Sequence, residues 1–376
     1  MIMGNQKNKK LVLFTAIVVF GLFQTCKARS AIEENTVSKN IVLSKRLEMI
    51  FLKTKTTCFG RYAMNIPQEA ELIFGEVSLP STIGIRTDGL EGRDKQVLED
   101  IEQIKLKNPT SEILYSGKGP LEESWQIQYF NNKYAKESGD TDFNTYITKG
   151  KFTFTLGDST PEGKSRIDTA TKQIVRANSF RLREEGEIPT EPGNCIPYGF
   201  IKQSNYDEQE MIDAGLYFPS FPDVTFSVSS NKNAYMDYSS ELYEKMHTEL
   251  SLLGRIDIAK KRQGKNYPSR TLLREGKRQV QHWQGEESLI RRIDGAHDFE
   301  WTLVGKPRDV AYPSVLVAHM YTKVAHNTVG AAKTASLTDE EAIALWDKLL
   351  SGLKFRVKVP GAPPGSYYID PDKPAQ

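Results

Sequence analysis

The stretch SLTDEEAIALWDKLLSGLKFR, Ser336–Arg356, decides the fold of the C-terminal half. Its apolar residues recur at the spacing of one continuous stripe on a helix. They are Ala342, Leu345, Trp346, Leu349, Leu350 and Leu353. Ser336 and Asp339 form an S-x-x-D start, in which the serine side chain accepts a free backbone amide of the first turn. The alternating run from Lys354 to Lys358 follows Gly352. The stretch therefore predicts a capped helix laid across a sheet and followed by a short edge strand.

The composition is that of a globular chain with room for two domains. Of its 376 residues, 39% are hydrophobic and 26% are charged, which allows buried cores and excludes a disordered polymer. The formal net charge is +2. Removal of residues 1–28 takes away four lysines and leaves 46 basic against 48 acidic residues. A mature chain so close to neutral has no electrostatic footprint for nucleic acid.

The N-terminus has the pattern of a signal peptide. Three lysines precede the apolar run Leu11–Phe23, which is short for a membrane span and suits a signal-peptide core. Cleavage after Ala28 would remove residues 1–28 and place the mature protein in the periplasm. Two alternatives stay open. The segment could remain as an uncleaved anchor, or Cys26 could be lipidated and attach the chain to a membrane, although the residues before Cys26 form a poor lipoprotein box.

The remaining chain divides at a polar linker. Glu184–Gly193 has the charge, proline and glycine content of a connection between domains. We therefore predict a linker at 29–57, an N-terminal domain at 58–193, a C-terminal domain at 194–358 and a loose, Pro-rich tail at 359–376. Both halves show the order strand, helix, several strands, helix, strand. This rhythm predicts an α+β fold with two domains of similar architecture, each an antiparallel sheet with helices packed on one face.

One predicted helix of the N-terminal half covers about 165–183. Four apolar residues at helical spacing define the face that we expect to pack against the sheet. They are Ile167, Ala170, Ile174 and Ala177.

Two cysteines remain after the signal peptide, Cys58 and Cys195. An even pair in an oxidising compartment favours a disulfide. The alternative is two separate buried thiols, one in each domain. The sequence supports both interpretations equally.

A search for catalytic motifs finds none. The chain has no G-x-S-x-G, no H-E-x-x-H and no C-x-x-C, and its histidines lack the spacing of a metal site. The glycine-rich loop 157–165 has the wrong spacing for a phosphate loop. His297 and Asp298 could orient an imidazole for base catalysis, but a turn between strands is the better interpretation. We therefore predict no catalytic residue, no metal and no cofactor.

Several segments together resemble a known family. They are CFGRYAMNIP at Cys58–Pro67, CIPYGFI at Cys195–Ile201, Phe299–Trp301 and the closing helix in Ser336–Arg356. This set is similar to the N- and C-terminal domains of the fourth class of type VI secretion lipase immunity proteins. The resemblance implies a periplasmic protein that is not an enzyme. It also implies that the protein binds its cognate phospholipase effector and blocks substrate access.

Neither the residues nor the resemblance says which side chains contact the effector. Two functions of other classes stay open at this point. One is a periplasmic small-ligand-binding protein with a pocket between the domains. The other is a divergent hydrolase that uses His297 and Asp298.

Overall fold

Helices and strands alternate along the residues that the computed structural model describes, namely 41–160, 164–233, 239–324, 333–370 and 372. The predicted signal peptide and Cys26 lie outside these ranges. The α-helices are α1 (Lys45–Phe51), α2 (Gly89–Lys107), α3 (Lys133–Ser138), α4 (Arg166–Ser179), α5 (Ser240–Thr248), α6 (Leu252–Gln263) and α7 (Asp339–Ser351). A short 3-10 helix, Gly264–Asn266, follows α6.

The strands of the described residues fall on both sides of the predicted boundary. Those before it are β1 (Thr54–Phe59), β2 (Tyr62–Pro67), β3 (Glu71–Ser78), β4 (Ile83–Arg86), β5 (Glu112–Lys118), β6 (Ser124–Phe130), β7 (Asp142–Lys149), β8 (Phe152–Ser159) and β9 (Phe180–Leu182). Those that begin at or after Gly193 are β10 (Gly193–Ile196), β11 (Gly199–Lys202), β12 (Met211–Tyr217), β13 (Thr225–Asn231), β14 (Arg270–Val280), β15 (Trp283–Arg292), β16 (His297–Val304), β17 (Val315–Tyr321), β18 (Lys354–Val357) and β19 (Tyr367–Ile369).

These strands form four sheets. The largest has the order β14-β15-β16-β17-β13-β12-β3, and a five-stranded sheet has the order β4-β8-β7-β6-β5. Two smaller sheets have the orders β1-β2-β18-β19 and β10-β11-β9. Neighbouring strands are antiparallel except β18 and β19. The α+β class is confirmed. None of the described helices is long and apolar enough to cross a membrane.

The closing helix α7 packs across the seven-stranded sheet. All six residues of the predicted stripe are buried. The Trp346 ring lies 5.8 Å from the Phe226 ring of β13 and 6.0 Å from the Phe299 ring of β16. The stripe therefore faces the centre of the sheet, where its burial contributes most to the core.

The ends of α7 differ from the sequence prediction. Thr338, not Ser336, is the N-cap, and its side chain and that of Glu341 form a capping box. The backbone N–H of Ser336 instead donates to Asp223. The strand β18 also is not an edge, since it lies between β2 and β19. The capping box of Thr338 and Glu341 is local, whereas the strand β2 that pairs with β18 is far away in the sequence.

Strands of the N-terminal half are built into sheets of the C-terminal half. β3 forms one edge of the seven-stranded sheet by pairing with β12, and β2 pairs with β18. The predicted linker at 29–57 contains α1 and most of β1. The expectation of a loose tail is wrong for Tyr367–Ile369, which pairs with β18. The two halves are therefore joined by sheet hydrogen bonds as well as by the connecting segment.

The helix α4 packs on the rest of the fold with a different face from the one predicted. Of the four predicted core residues, Ala177 is buried, whereas Ile167 and Ile174 are exposed. Its inner side is polar, because Gln173 and Arg176 both bind Asp158 of β8. The Asp158 carboxylate, whose side chain is only 12% exposed, needs such partners, and this requirement outweighs the burial of two isoleucines.

The capping box supplies a prediction on pH. Glu341 accepts hydrogen bonds from Arg46 and Ser44 at 2.6 and 2.7 Å, and these bonds connect α1 to α7. The Arg46 hydrogen bond, above all, lowers the pKa of Glu341 from 4.5 to about 2. A carboxyl whose pKa is lower in the folded state stabilises the fold above its unfolded pKa and loses that effect as it is protonated. The free energy of unfolding should therefore decrease as the pH is lowered from 4.5 to about 2. Urea unfolding across this range measures it.

The variant Glu341→Gln is the control for that prediction. Glutamine can still complete a capping box but cannot ionise. The variant should be less stable than the wild type at neutral pH and should lose less stability on acidification. Equal acid sensitivity in both proteins would contradict this role for Glu341.

Candidate functional site

Cys58 and Cys195 lie at the junction of the two halves. Cys58 belongs to β1 and Cys195 to β10, and both are fully buried. A disulfide joins them in the structure. Gly60 and Cys195 also exchange two backbone hydrogen bonds, of 2.7 and 2.8 Å. Covalent and hydrogen bonds therefore connect the start of each half at one place.

Gly60 fits this junction because it lacks a side chain. Its φ is +51°, and a Cβ placed on it would come within 2.7 Å of the Ile212 side chain. Both the backbone conformation and the close approach favour glycine. The turn lets β1 and β2 form a hairpin and directs the next residue, Arg61, into the interior.

Arg61 forms a buried ion pair across the junction. Its Nε and Nη2 donate to the two carboxylate oxygens of Glu210 at 2.7 and 2.5 Å. Lys232 of the neighbouring loop lies 3.6 Å from the same carboxylate, and the Tyr206 ring covers the guanidinium at 4.4 Å. Such a bidentate contact fixes the relative orientation of the two side chains and also pairs their charges. Arg61 thus holds the segment before β12 against the first hairpin.

Arg356 of β18 holds the connecting segment. This fully buried residue donates to three backbone carbonyls, those of Pro189, Glu191 and Gly193. No carboxylate forms an ion pair with it within the described ranges. Burial, with a contribution from the charge of Arg61, lowers the pKa of Arg356 to about 10. The cation is therefore held mainly by carbonyl dipoles, which fix the path of the linker.

Arg356→Lys should reduce the free energy of unfolding by about 2 kcal/mol. Lysine keeps the charge, but its point-like ammonium cannot reproduce the planar fork of donors, so some linker carbonyls lose their partner. Chemical denaturation measures the change. The exposed Arg292→Lys is a matched control, with an expected effect below about 0.5 kcal/mol. Equal effects in the two variants would contradict a structural role for Arg356.

The two cavities beside Arg61 have no room for a ligand. Two cavities of the described residues are lined by both Arg61 and residues of the C-terminal half. One has no free volume and the other has about 10 Å³. Small-molecule sites usually measure about 300–1,000 Å³. These two cavities therefore offer no support for a small-ligand pocket between the domains, and the larger opening lined from both halves is a groove of about 330 Å³ beside β9.

His297 and Asp298 do not form a pair. His297 begins β16, and its buried ring binds Thr322 and Asp339, each at 2.9 Å. Burial raises the pKa of Asp298, which is the next residue on the same strand. The nitrogens of the imidazole are thus used to hold the N-terminus of α7 against β16. The prediction that His297 and Asp298 form a turn between strands is also wrong, because both belong to β16.

Other candidate residues divide between packed and undescribed positions. Trp283, Trp301, Trp346 and Phe218 are fully buried, whereas Trp125 is half-buried. No group of three or more His, Cys, Asp or Glu side chains within the described part of the chain could hold a metal ion. Tyr235, Tyr238 and His326 lie outside the described residues.

Two family profiles together cover most of the chain. The profile described as the Tle cognate immunity protein 4 N-terminal domain matches residues 55–186. The profile of the C-terminal domain of the same protein matches residues 187–358. The chain belongs to the Tle cognate immunity protein 4 family. The resemblance found in the sequence is confirmed, and the family is one of immunity proteins rather than enzymes.

Solved structures have the same fold as this family member. The apo immunity protein TplEi of the T6SS from Pseudomonas aeruginosa is 22% identical, with 81% of this chain and 97% of that chain covered and a TM-score of 0.62. TplEi complexed with "L" peptide is 22% identical, with 81% and 98% covered and a TM-score of 0.59. A structure of the Tle4-Tli4 complex is 23% identical, with 81% and 97% covered and a TM-score of 0.62. No curated protein matches the chain.

The sequence did not reveal the charged partners of the junction. The ion pair joins Arg61 to Glu210, which is 149 residues later in a polar segment without periodicity. The carbonyl acceptors of Arg356 have no side-chain pattern at all. Arg61, which directly precedes β2, and Arg356 of β18 both have apolar neighbours in the sequence. An arginine at such a position predicts a buried partner but does not identify it.

Proposed function

We propose that this chain is a periplasmic immunity protein that binds its cognate type VI secretion phospholipase effector and blocks substrate access. The observation that carries the proposal is the match to both domains of the Tle cognate immunity protein 4 family over residues 55–358. One similar structure is a complex of Tle4 with Tli4, which is 23% identical to this chain. The partner is therefore a protein, and the chain supplies a binding surface.

The predicted signal peptide supports this function. Immunity proteins of this kind are generally periplasmic. The lysines and apolar run of residues 1–28 have the pattern that would deliver the chain there. The bond between Cys58 and Cys195 would then form in the oxidising periplasm. The mass of the purified secreted protein, measured by mass spectrometry, shows whether the signal peptide is cleaved after Ala28.

The domain boundaries remain part of the proposal. We infer an N-terminal unit at 58–193 and a C-terminal unit at 194–358. The junction of Cys58, Cys195, Arg61 and Arg356 holds the two units in one arrangement. A binding surface that spans both units would then lose little conformational freedom when the effector binds, which favours affinity.

We propose the outer side of α4 as part of the effector contact. Ile167, Ile174 and Val175 lie there, and Val175 is 68% exposed. Val175 also lines a groove of about 330 Å³ beside β9. An apolar helix face that the fold itself leaves open is typical of a protein-binding surface. The groove offers a place for an apolar side chain of the partner.

A phospholipase assay tests the proposal. The phospholipase encoded beside the gene for this chain is assayed with and without purified residues 31–376. We expect loss of activity at a one-to-one ratio and a complex in size-exclusion chromatography. Unchanged activity with no complex would overturn the immunity function.

The contact on α4 is tested with two matched double variants. Ile174→Asp/Val175→Asp should weaken inhibition by more than about 30-fold, since truncating a central contact costs about 2 kcal/mol or more. Leu98→Asp/Leu106→Asp makes the same change on α2, at residues that are similarly exposed. The control should keep full inhibition, and circular dichroism should show both variants folded. Equal inhibition by both variants would exclude α4 from the interface.

A further inference from the structure

Positive charge is concentrated at one end of the seven-stranded sheet. The stretch 260–270, which covers the last turn of α6 and the following loop, contains five basic residues and no acidic residue. The whole chain has a net charge of only +2, so this concentration is local. Arg270 begins β14 and lies directly opposite Arg292, the last residue of β15. Two like charges in register repel each other, and Asp294, which binds Arg292 at 3.1 Å, offsets part of this repulsion.

Most of these cations form no close ion pair with the described acidic residues, and Arg270 is attracted by Asp298 only at longer range. Lys260 is bound by Glu275 at 3.7 Å. Four others form no ion pair within the described ranges, and we call them, with the hairpin tip described below, the basic end. They are Lys261, Arg262, Lys265 and Arg270. Arg270 lies on the Tyr267 ring at 3.9 Å. An anionic partner from outside the chain would satisfy these charges.

Exposed apolar residues lie at the same end. Ile293 is at the tip of the hairpin between β15 and β16 and is 80% exposed. Leu272, two residues after Arg270, pairs with Ile290 of β15 just before a bulge and is 55% exposed. Arg291 and Arg292 flank the tip, bound by Asp339 and Asp294. An apolar tip surrounded by long basic side chains is typical of proteins that sit on a membrane surface.

We propose that the basic end docks this protein on an anionic phospholipid surface. The lysines and arginines would lie at the phosphate level, and Ile293 and Leu272 would enter the headgroup region. Exposed, flexible lysines suit a fluid layer of phosphates better than a rigid protein epitope, which usually excludes lysine from its core. The inference extends the proposed function, since it would concentrate the protein where a phospholipase finds its substrate.

Vesicle co-sedimentation tests this directly. Purified residues 31–376 are mixed with vesicles of phosphatidylcholine alone or of equal parts phosphatidylcholine and phosphatidylglycerol. We expect binding only to the anionic vesicles, with a strong decrease at high salt, because exposed charges are screened. Equal binding to both vesicle types, or none to either, would overturn the proposal.

Charge reversal then locates the surface. Each cation near an anionic membrane strengthens binding about fivefold, so Lys261→Glu/Arg262→Glu/Lys265→Glu should weaken it at least about 100-fold. The variant Lys105→Glu/Lys107→Glu/Lys118→Glu makes the same change in net charge at exposed lysines of α2 and β5. It should change binding less than about threefold. A similar loss in both variants would show that net charge, not the basic end, controls binding.

The apolar tip and the effector are tested separately. Ile293→Ser should lower vesicle binding about tenfold, the effect expected for one buried isoleucine. The triple reversal in the basic end should still inhibit the phospholipase on a soluble monomeric substrate. Loss of that inhibition would assign the basic end to the effector interface and overturn the membrane proposal. If the wild type binds vesicles but never inhibits the enzyme, the proposed function fails and the membrane surface stands.

Discussion

Replacing Cys58 and Cys195 together with alanine is expected to lower the free energy of unfolding by about 4–5 kcal/mol. The disulfide spans a sequence separation of 137 residues. In the chain-entropy model, a crosslink over such a long loop restricts the unfolded chain by about this amount. Both sites are fully buried beside Ala63 and Phe200, so alanine leaves no polar group without a partner. Urea unfolding under non-reducing conditions measures the difference.

The reductant response is the control for the disulfide. Wild-type protein should unfold at a lower urea concentration when a reductant is present, and the double alanine variant should not respond. Junction contacts such as the Arg61–Glu210 pair should keep the reduced protein folded, so inhibition of the phospholipase should survive at low temperature. A wild type that titrates two free thiols after secretion would show that the bond does not form.

Local periodicity accounts for the part of the fold that was predicted correctly. The stripe from Ala342 to Leu353 predicts a buried helix face whatever sheet it meets, and all six residues are buried. The nearly continuous apolar run of β17 predicts a central strand covered on both faces; the strand does lie between β16 and β13, but its residues alternate between buried and partly exposed. Patterns of this kind depend on a single segment. They can be read without knowledge of its partners.

The failures arise where a distant residue decides the outcome. Asp158 turns the polar side of α4 inward because Gln173 and Arg176 bind it, and two isoleucines are left outside. The pairing of β3 with β12 similarly depends on a residue segment more than a hundred positions later. The same limit applies to the site. No local pattern shows that Arg61 meets Glu210, or that apolar residues on α4 are free to contact a partner.

A second buried charge cluster fixes α7 to the seven-stranded sheet. Glu287 of β15 accepts a hydrogen bond from Arg274 at 2.6 Å and another from the Trp346 indole at 2.9 Å. Arg278 binds the same carboxylate. Asp347 of α7 binds both arginines, Arg274 at 2.5 Å and Arg278 at 2.7 Å. Glu287 thus binds both arginines and the central tryptophan of the closing helix.

Glu287→Gln should therefore destabilise the protein by about 3–5 kcal/mol, since two largely buried arginines would share the single charge of Asp347. The exposed Glu99→Gln, which removes a partner of Arg86 at 3.4 Å, should cost less than about 1 kcal/mol in the same denaturation experiment. Replacing Arg278 with methionine in the Glu287→Gln background removes one uncompensated cation and should restore part of the loss. If Glu287→Gln lowered the free energy of unfolding no more than Glu99→Gln does, the cluster would be irrelevant to stability. If the second substitution lowered the free energy of unfolding further, apolar packing by the Arg278 stem would outweigh the cost of its unpaired charge.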